Sequence, residues 1–263
     1  MSAGDSLGDR MKGYEVAART VLPRRMPVII RCDGKAFHTY TAACKRPFDE
    51  RLSGVMVHTA KELCKQIQGA QLAYTQSDEI SILVHGYKKF ASESWFDNQT
   101  QKMASVAAGI ASATFTAHSW RIWRDVPTPI ETDLNAIERI KPAVFDARVF
   151  IVPESDVCNY FLWRQQDATR NSVQMLARSL YSHKQCDRKN GSELQEMCFQ
   201  KGVNWNDLEV RWKRGICIRR MPDLVPFGDG TATERSSWEP DFNIPVFSAE
   251  RDYINRLLAL EEQ

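Results

Sequence analysis

Residues 72–84 carry the strongest constraint in this 263-residue chain. Two short strand-forming runs, 72–75 and 80–84, enclose the polar knot Gln76-Ser77-Asp78-Glu79. A tight hairpin there holds two adjacent carboxylates at the end of paired strands, with the backbone pinned by the ladder. A solvated turn is the ordinary use of such residues. The other use is a hard-cation site, which needs at least one more carboxylate brought by a different element. The rest of the chain decides between them.

Residues 28–30 form a continuous β-branched run that reads as a buried strand, ending in Arg31-Cys32-Asp33-Gly34-Lys35-Ala36-Phe37-His38. Asp33-Gly34 directly after that strand predicts a sharp turn. Apolar residues then recur at helical spacing (Leu52, Val55, Met56, Leu63, Ile67) until Gly69. A second helix is expected over about 98–120, rich in small residues, and a fourth strand over 146–152. Residues 85–97, with Lys88-Lys89, and 121–143 read as irregular connections. The order β-α-β-β-α-β is that of a ferredoxin-like α+β fold. Right-handed crossovers make the first and third strands antiparallel neighbours with both helices on one face. Asp33, at the exit of the first strand, then shares a rim with Asp78 and Glu79 at the entry to the third. Topology supplies the missing carboxylate.

Beyond 153 a long helix is expected over 155–181 with a basic polar face (Arg164, Arg170, Arg178), then a helix and turn over 186–210. Residues 211–220 read as a basic strand pair or edge containing Arg219 and Arg220. Proline-rich 221–245 reads as a loop, followed by a last short helix over 249–258. The expected division is a palm-like catalytic domain, 1–153, and a helical and β extension, 154–263, that packs on it and contacts RNA.

Composition narrows the chemistry. Thirty-five basic and 33 acidic side chains leave a net charge of only +2, so any polyanion partner must be met by local clusters. Seven scattered cysteines contain no C-x-x-C pair and predict free thiols in a reducing compartment, hence a cytoplasmic protein. No run approaches the ~20 apolar residues of a membrane span, and no P-loop or G-x-G-x-x-G stretch occurs. The five histidines lack a hydrolase pattern. Oxygen ligands converging on an open rim suit magnesium, and two such ions ~3.5–4 Å apart serve nucleotidyl transfer. Around Asp33, the amides of residues 34–37 are candidates to cradle a triphosphate and Phe37 to stack on a base or sugar. Lys45, Arg46 and Lys102 are candidate phosphate partners, and His38 is the histidine in the right neighbourhood.

These residues carry a resemblance. Arg31-Cys32-Asp33-Gly34-Lys35-Ala36-Phe37, Lys45-Arg46-Pro47-Phe48-Asp49, Tyr74-Thr75-Gln76-Ser77-Asp78-Glu79, Phe145-Asp146-Ala147-Arg148, Trp163-Arg164-Gln165-Gln166-Asp167 and Lys213-Arg214-Gly215 occur in the order seen in the tRNA(His) guanylyltransferase family. The match covers roughly residues 8–220. The resemblance implies a polymerase-type palm that extends the 5′ end of tRNA in the 3′-to-5′ direction after activation with ATP or GTP. It implies two Mg2+ ions at Asp33, Asp78 and the Gly34 carbonyl. It also implies a nucleotide site over Asp33, Gly34, Lys35, Ala36, Phe37, His38, Arg46, Ser77, Asp78 and Lys102, and a homotetramer. Asp33, Asp78 and Glu79 are the catalytic candidates. Arg164, Arg170, Asn171, Arg178, Arg219 and Arg220 are the tRNA-contact candidates.

One segment departs from the family. Where the histidine-specific enzymes carry His-Ile-Asn-Asn-Leu-Tyr-Asn, this chain has Thr169-Arg170-Asn171-Ser172-Val173-Gln174-Met175, matching only at Asn171. That favours the guanylyltransferase-like branch, which repairs truncated tRNA 5′ ends by templated addition. Untemplated G addition to tRNA(His), a nucleotide cyclase and an RNA-binding module of related fold are the alternatives. Among the ligands of the rim, alternation along a strand favours Asp78 over Glu79.

Overall fold

The computed structural model describes residues 6–87, 92–124, 142–226 and 232–258. The reading of Lys88-Lys89 lies outside these residues, as does most of the irregular stretch expected before the fourth strand. The chain begins with α1 (Leu7–Ala17), followed by β1 (Val28–Gly34), the short α2 (Phe37–Tyr40) and α3 (Glu50–Gln66). Asp49 caps α3, its carboxylate accepting from the amides of Arg51 and Leu52 at 2.9 and 3.2 Å. Then come β2 (Ala70–Gln76), β3 (Glu79–Val84), α4 (Thr100–Arg124) and β4 (Phe145–Ile151). The hairpin expected around Asp78 is present, with Ser77-Asp78 as its two-residue turn and Ser77 at φ 51°.

The four strands join one antiparallel sheet of order β4-β1-β3-β2-β5-β6, with β5 (Ile216–Pro226) and β6 (Ala232–Asp241) supplied from the far end of the sequence. All its pairings are antiparallel, and with its helices it makes an α+β fold. Strands β1 and β3 are buried on both faces, which is why they read as near-continuous apolar runs. On one face Ile30, Cys32, Ala73, Ile80 and Ile82 pack against α3 and α4. On the other, Ile29, Leu72, Tyr74, Leu83 and Cys217 meet Val157, Cys158 and Phe161 of α5 (Glu154–Leu180). The second half of α5 leaves the sheet and builds a third cluster with α6 (His183–Cys186), α7 (Gly191–Gln200) and Trp205. All seven cysteines are free. No described helix is long and apolar enough to cross a membrane.

Two expectations for the tail are corrected. Residues 210–214 form a short helix, α8 (Val210–Arg214), so of the basic strand pair or edge expected over 211–220 only residues 216–220 are strand, the start of β5. The proline-bearing stretch after it is largely the β5–β6 ribbon, not a loop. Proline is tolerated there because β2 pairs only with residues 216–219 of β5, and β6 is an edge strand. Pro222 and Pro240 therefore have an open side on which no ladder donor is required.

Candidate active site

The register of the sheet builds the site. Asp33 is the direct partner of Glu79 on β3 and of Asp146 on β4. Cys32 belongs to the α3/α4 face, so alternation puts Asp33 on the α5 face of the sheet. The amide of Gly34 donates to the carbonyl oxygen of Asp78 at 3.0 Å, stitching the end of β1 to the hairpin turn. Burial raises the pKa of the Asp78 carboxyl; a hydrogen bond from Ser77 opposes this, the negative charge of Asp33 adds to it, and His38 draws it back. Asp33, Asp78 and His38 therefore share one electrostatic neighbourhood. Gly34 is required on steric grounds: a Cβ there would lie 2.4 Å from the Phe37 ring.

Beside this rim lies a cleft of about 290 Å3. One wall is the hairpin end, Thr75–Asp78, with Phe37, His38 and Thr41. A second is the start of α3, including Phe48, Asp49, Leu52 and Met56. The third is Ala168, Asn171, Ser172 and Met175 of α5 with Arg211, Trp212 and Gly215. Phe48 and Trp212, 164 positions apart in sequence, stack with centroids 5.0 Å apart, and Arg211 lies 4.5 Å over the Trp212 ring. The result is a mostly apolar slot with a few convergent polar groups, the usual form of a small-molecule site. Burial raises the Asp49 carboxyl, but donors from Lys45, Arg51 and Leu52 outweigh it and leave the group below its ordinary range. Asp49 thus fixes the cleft wall as a charged cap.

Gly215 seals the floor at φ 82°, ψ −168°, a conformation essentially reserved for glycine. A Cβ there would meet the Thr75 carbonyl oxygen and the Tyr74 hydroxyl, each at 2.7 Å. That hydroxyl donates to the Arg214 carbonyl at 2.6 Å. Gly215→Ala is expected to destabilise the fold by roughly 2–3 kcal/mol, measured by urea unfolding. An unchanged midpoint would contradict this packing.

The structure sorts the remaining sequence candidates. Ser77 lies on the cleft, Lys35 and Ala36 are exposed beside it, and Arg46 is exposed in the loop leading to Phe48. The amides of Gly34 and Lys35 are already engaged, with Asp78 and Val144, so only those of Ala36 and Phe37 remain from the expected cradle, with the amide of His38 next to them. Phe37 is not available to stack on a base, because it is buried among Tyr40, Phe115 and Phe145. Lys102 is displaced from the rim. It sits over Phe96 at the start of α4, whereas Phe115, thirteen residues on and ~20 Å along the helix, is the part that packs by Phe37.

Glu79 shares the Asp33 face but is committed elsewhere. Its carboxylate accepts from Arg164 Nη1 at 2.7 Å and from Ser81 Oγ at 3.1 Å, with both charged side chains buried. Both side chains are thus engaged with each other inside the fold rather than open at the rim or on the surface. Arg219 and Arg220 are not one patch either. Arg219 pairs with Asp241 at 3.4 Å on the α5 face, while Arg220 lies over Trp238 on the opposite face. Arg170 is exposed and paired with Asp167, Arg178 is exposed, and Asn171 lines the cleft. Sequence reasoning missed Phe48, Trp212 and Asp146 as site residues. Phe48 and Asp146 lie inside the segments that carry the family resemblance and Trp212 directly precedes one, while the β1–β4 register pairs Asp146 with Asp33.

A family model described as Thg1, tRNAHis guanylyltransferase, matches residues 8–153. The chain is 43% identical to a bacterial tRNA(His) guanylyltransferase (Thg1)-like protein solved in complex with ATP, over 97% of this chain and all of that one, with TM-score 0.83. A second such bacterial structure, in complex with GTP, is 41% identical over the same shares, with TM-score 0.76. The tRNA(His) guanylyltransferase of Debaryomyces hansenii is 27% identical over 216 residues, 77% of this chain and 76% of that protein.

Proposed function

The chain belongs to the tRNAHis guanylyltransferase family of nucleotidyltransferases, and from that premise we propose that it extends tRNA 5′ ends in the 3′-to-5′ direction, repairing truncated ends against a template. The observation that carries the reading is the Asp33–Asp78 rim opening beside an apolar slot of nucleotide size. The greater similarity to the bacterial Thg1-like protein than to the Debaryomyces enzyme supports the repair branch, as does the loss of the histidine-specific segment around Asn171.

In this reading residues 1–153 are a ferredoxin-like, polymerase-type palm and residues 154–263 its extension. The slot holds base and ribose against the Phe48–Trp212 wall, with Asn171 as a polar contact. The free amides of Ala36, Phe37 and His38, with Ser77, Lys35 and Arg46 nearby, receive phosphate oxygens. The donor set suits a divalent cation: Asp78, raised chiefly by burial with the charge of Asp33 adding to it, together with Asp33 and the Gly34 carbonyl would hold a magnesium ion that retains several waters. Two bound Mg2+ ions would supply charge neutralisation and a more acidic hydroxyl at the rim. The 5′-phosphate of the RNA first attacks the α-phosphorus of ATP or GTP, expelling pyrophosphate. The 3′-hydroxyl of an incoming nucleotide then attacks the activated 5′-phosphate and expels the nucleoside monophosphate. Asp33 and Asp78 hold the charge balance at that centre. A homotetramer is proposed on the family resemblance, and a cytoplasmic location on the seven scattered free cysteines.

The test uses 5′-monophosphorylated tRNAs, full length and lacking one or more 5′ nucleotides, with ATP and each NTP in turn. Addition that follows Watson–Crick pairing on the shortened species is expected. G addition confined to tRNA(His) opposite a non-pairing base would replace repair with the guanylyltransferase activity itself. Trp212→Ala is expected to weaken ATP and GTP binding roughly tenfold, the size of one lost aromatic contact. Equilibrium titration checks this, and an unchanged Kd would remove Trp212 from the slot.

A further inference from the structure

The face of α5 that brings Asn171 and Met175 into the slot continues past it. Gln174 and Arg178, on adjoining turns, line a separate cavity of about 140 Å3 closed by His183, Arg188 and Lys189. Its charge is one-sided. Three cationic side chains and a histidine face Asp187 within the lining, with Glu193 reaching Lys189 from the next turn. The two ion pairs present are long, 3.8 Å for Arg188–Asp187 and 3.7 Å for Lys189–Glu193, and such exposed pairs hold their members weakly. Among the described residues Arg178 and His183 have no ion-pair partner.

These cations sit on a fixed frame. Val173, Leu176 and Ala177 of α5, Cys186 of α6, Leu194 and Cys198 of α7, and Trp205 lock these elements together. Reciprocal capping boxes, Ser182 with Gln185 and Asn190 with Glu193, fix the starts of α6 and α7. Like charges held together on rigid elements, with few counter-charges, form an anion receptor. From Asn171 in the slot to Arg178 is seven residues, ~10 Å along the helix. One strand of a helical nucleic acid advances ~3.4 Å per nucleotide, so that span covers about three phosphates.

We propose that this pocket binds phosphodiester groups of the RNA strand whose 5′ end reacts at the rim beside the slot, about three nucleotides along the strand from the slot. The proposal rests on the 5′-end reading above and extends the RNA path beyond the catalytic rim.

The test compares the wild-type chain with Arg178→Glu/Arg188→Glu, and with Arg178→Ala/Arg188→Ala as the milder pair. The probe is a 5′-monophosphorylated tRNA transcript lacking its first nucleotide, titrated across a range of KCl. Loss of two phosphate contacts is expected to flatten the slope of log K against log salt by roughly 1.4–1.8. Kd values for ATP and GTP should be unaltered. Lys12→Glu/Lys65→Glu, on α1 and at the end of α3, makes the same change in net charge and should leave the slope as it is. An unchanged slope in the pocket variants overturns the proposal, and so does an equal loss in the control pair. Weakened ATP or GTP binding would instead make the cavity a free-triphosphate site. If the wild-type chain binds no tRNA, the 5′-end reading fails as well; if it binds and repairs tRNA while the pocket variants match it, only this proposal fails.

Discussion

Asp78→Asn is expected to lower nucleotide addition by at least about a thousandfold while leaving the protein folded, a loss of about 4 kcal/mol of transition-state stabilisation. Asparagine keeps the backbone carbonyl that accepts from Gly34, so the stitch between β1 and the hairpin survives. What disappears is the negative charge that, with Asp33, would balance cations at the rim. The stability change should run the other way. The folded-state pKa of Asp78 is raised, so the folded protein binds the extra proton between the unfolded and folded pKa values. Stability from this group is therefore present at low pH and falls as pH rises through the folded value. At neutral pH, without divalent cations, the uncharged variant should melt no lower than the wild type. Added magnesium should raise the wild-type Tm through binding and raise the variant's much less. Calorimetry with and without magnesium, beside a nucleotide-addition assay, reads both effects. Turnover within tenfold of wild type would remove Asp78 from catalysis.

What the sequence displayed, and what it hid, follows from how far apart the interacting residues lie. The β1–β4 frame was legible because strands buried on both faces are written as unbroken apolar runs, and the right-handed crossover leaves few ways to order them. Asp33 and Asp78 could then be brought together from strand order alone. The β5–β6 ribbon was hidden by Pro222, Pro226 and Pro240, which break strand patterns unless the strand is known to lie at an edge. Lys102 was misplaced because residue type was matched to phosphate without asking which end of α4 reaches the rim. Phe48 and Trp212 have no local signature as a pair; only the fold stacks them. Arg164 read as one more cation on the polar face of a long helix, and the 85-residue separation from Glu79 concealed that it points inward.

That inward pair gives the second large effect. Arg164→Ala is expected to destabilise the protein by about 3–5 kcal/mol, the cost of leaving a buried charge without its partner. For a chain of this size that is a fall in Tm of roughly 6–20 °C. Both side chains are nearly enclosed, at 8% and 9% exposure, so solvent cannot replace the guanidinium. Burial already pushes the Glu79 carboxyl upward, and Arg164 is the main opposing influence, with Arg31 and Ser81 behind it. Removing Arg164 raises that pKa further. A carboxyl with a raised folded pKa loses stability as pH climbs through that value, so the deficit of Arg164→Ala should be largest at neutral and alkaline pH. It should shrink in acid, where Glu79 takes up a proton. Glu79→Gln should cost less, since the amide oxygen still accepts from Arg164. Combining it with Arg164→Met should recover much of the loss by removing both charges at once. Because Glu79 adjoins Asp78, activity should fall with the turn's loss of order even where the protein remains folded. Denaturant unfolding across pH measures the pattern. A loss below about 1 kcal/mol with tRNA affinity sharply reduced would return Arg164 to the RNA surface and release Glu79 to the catalytic rim.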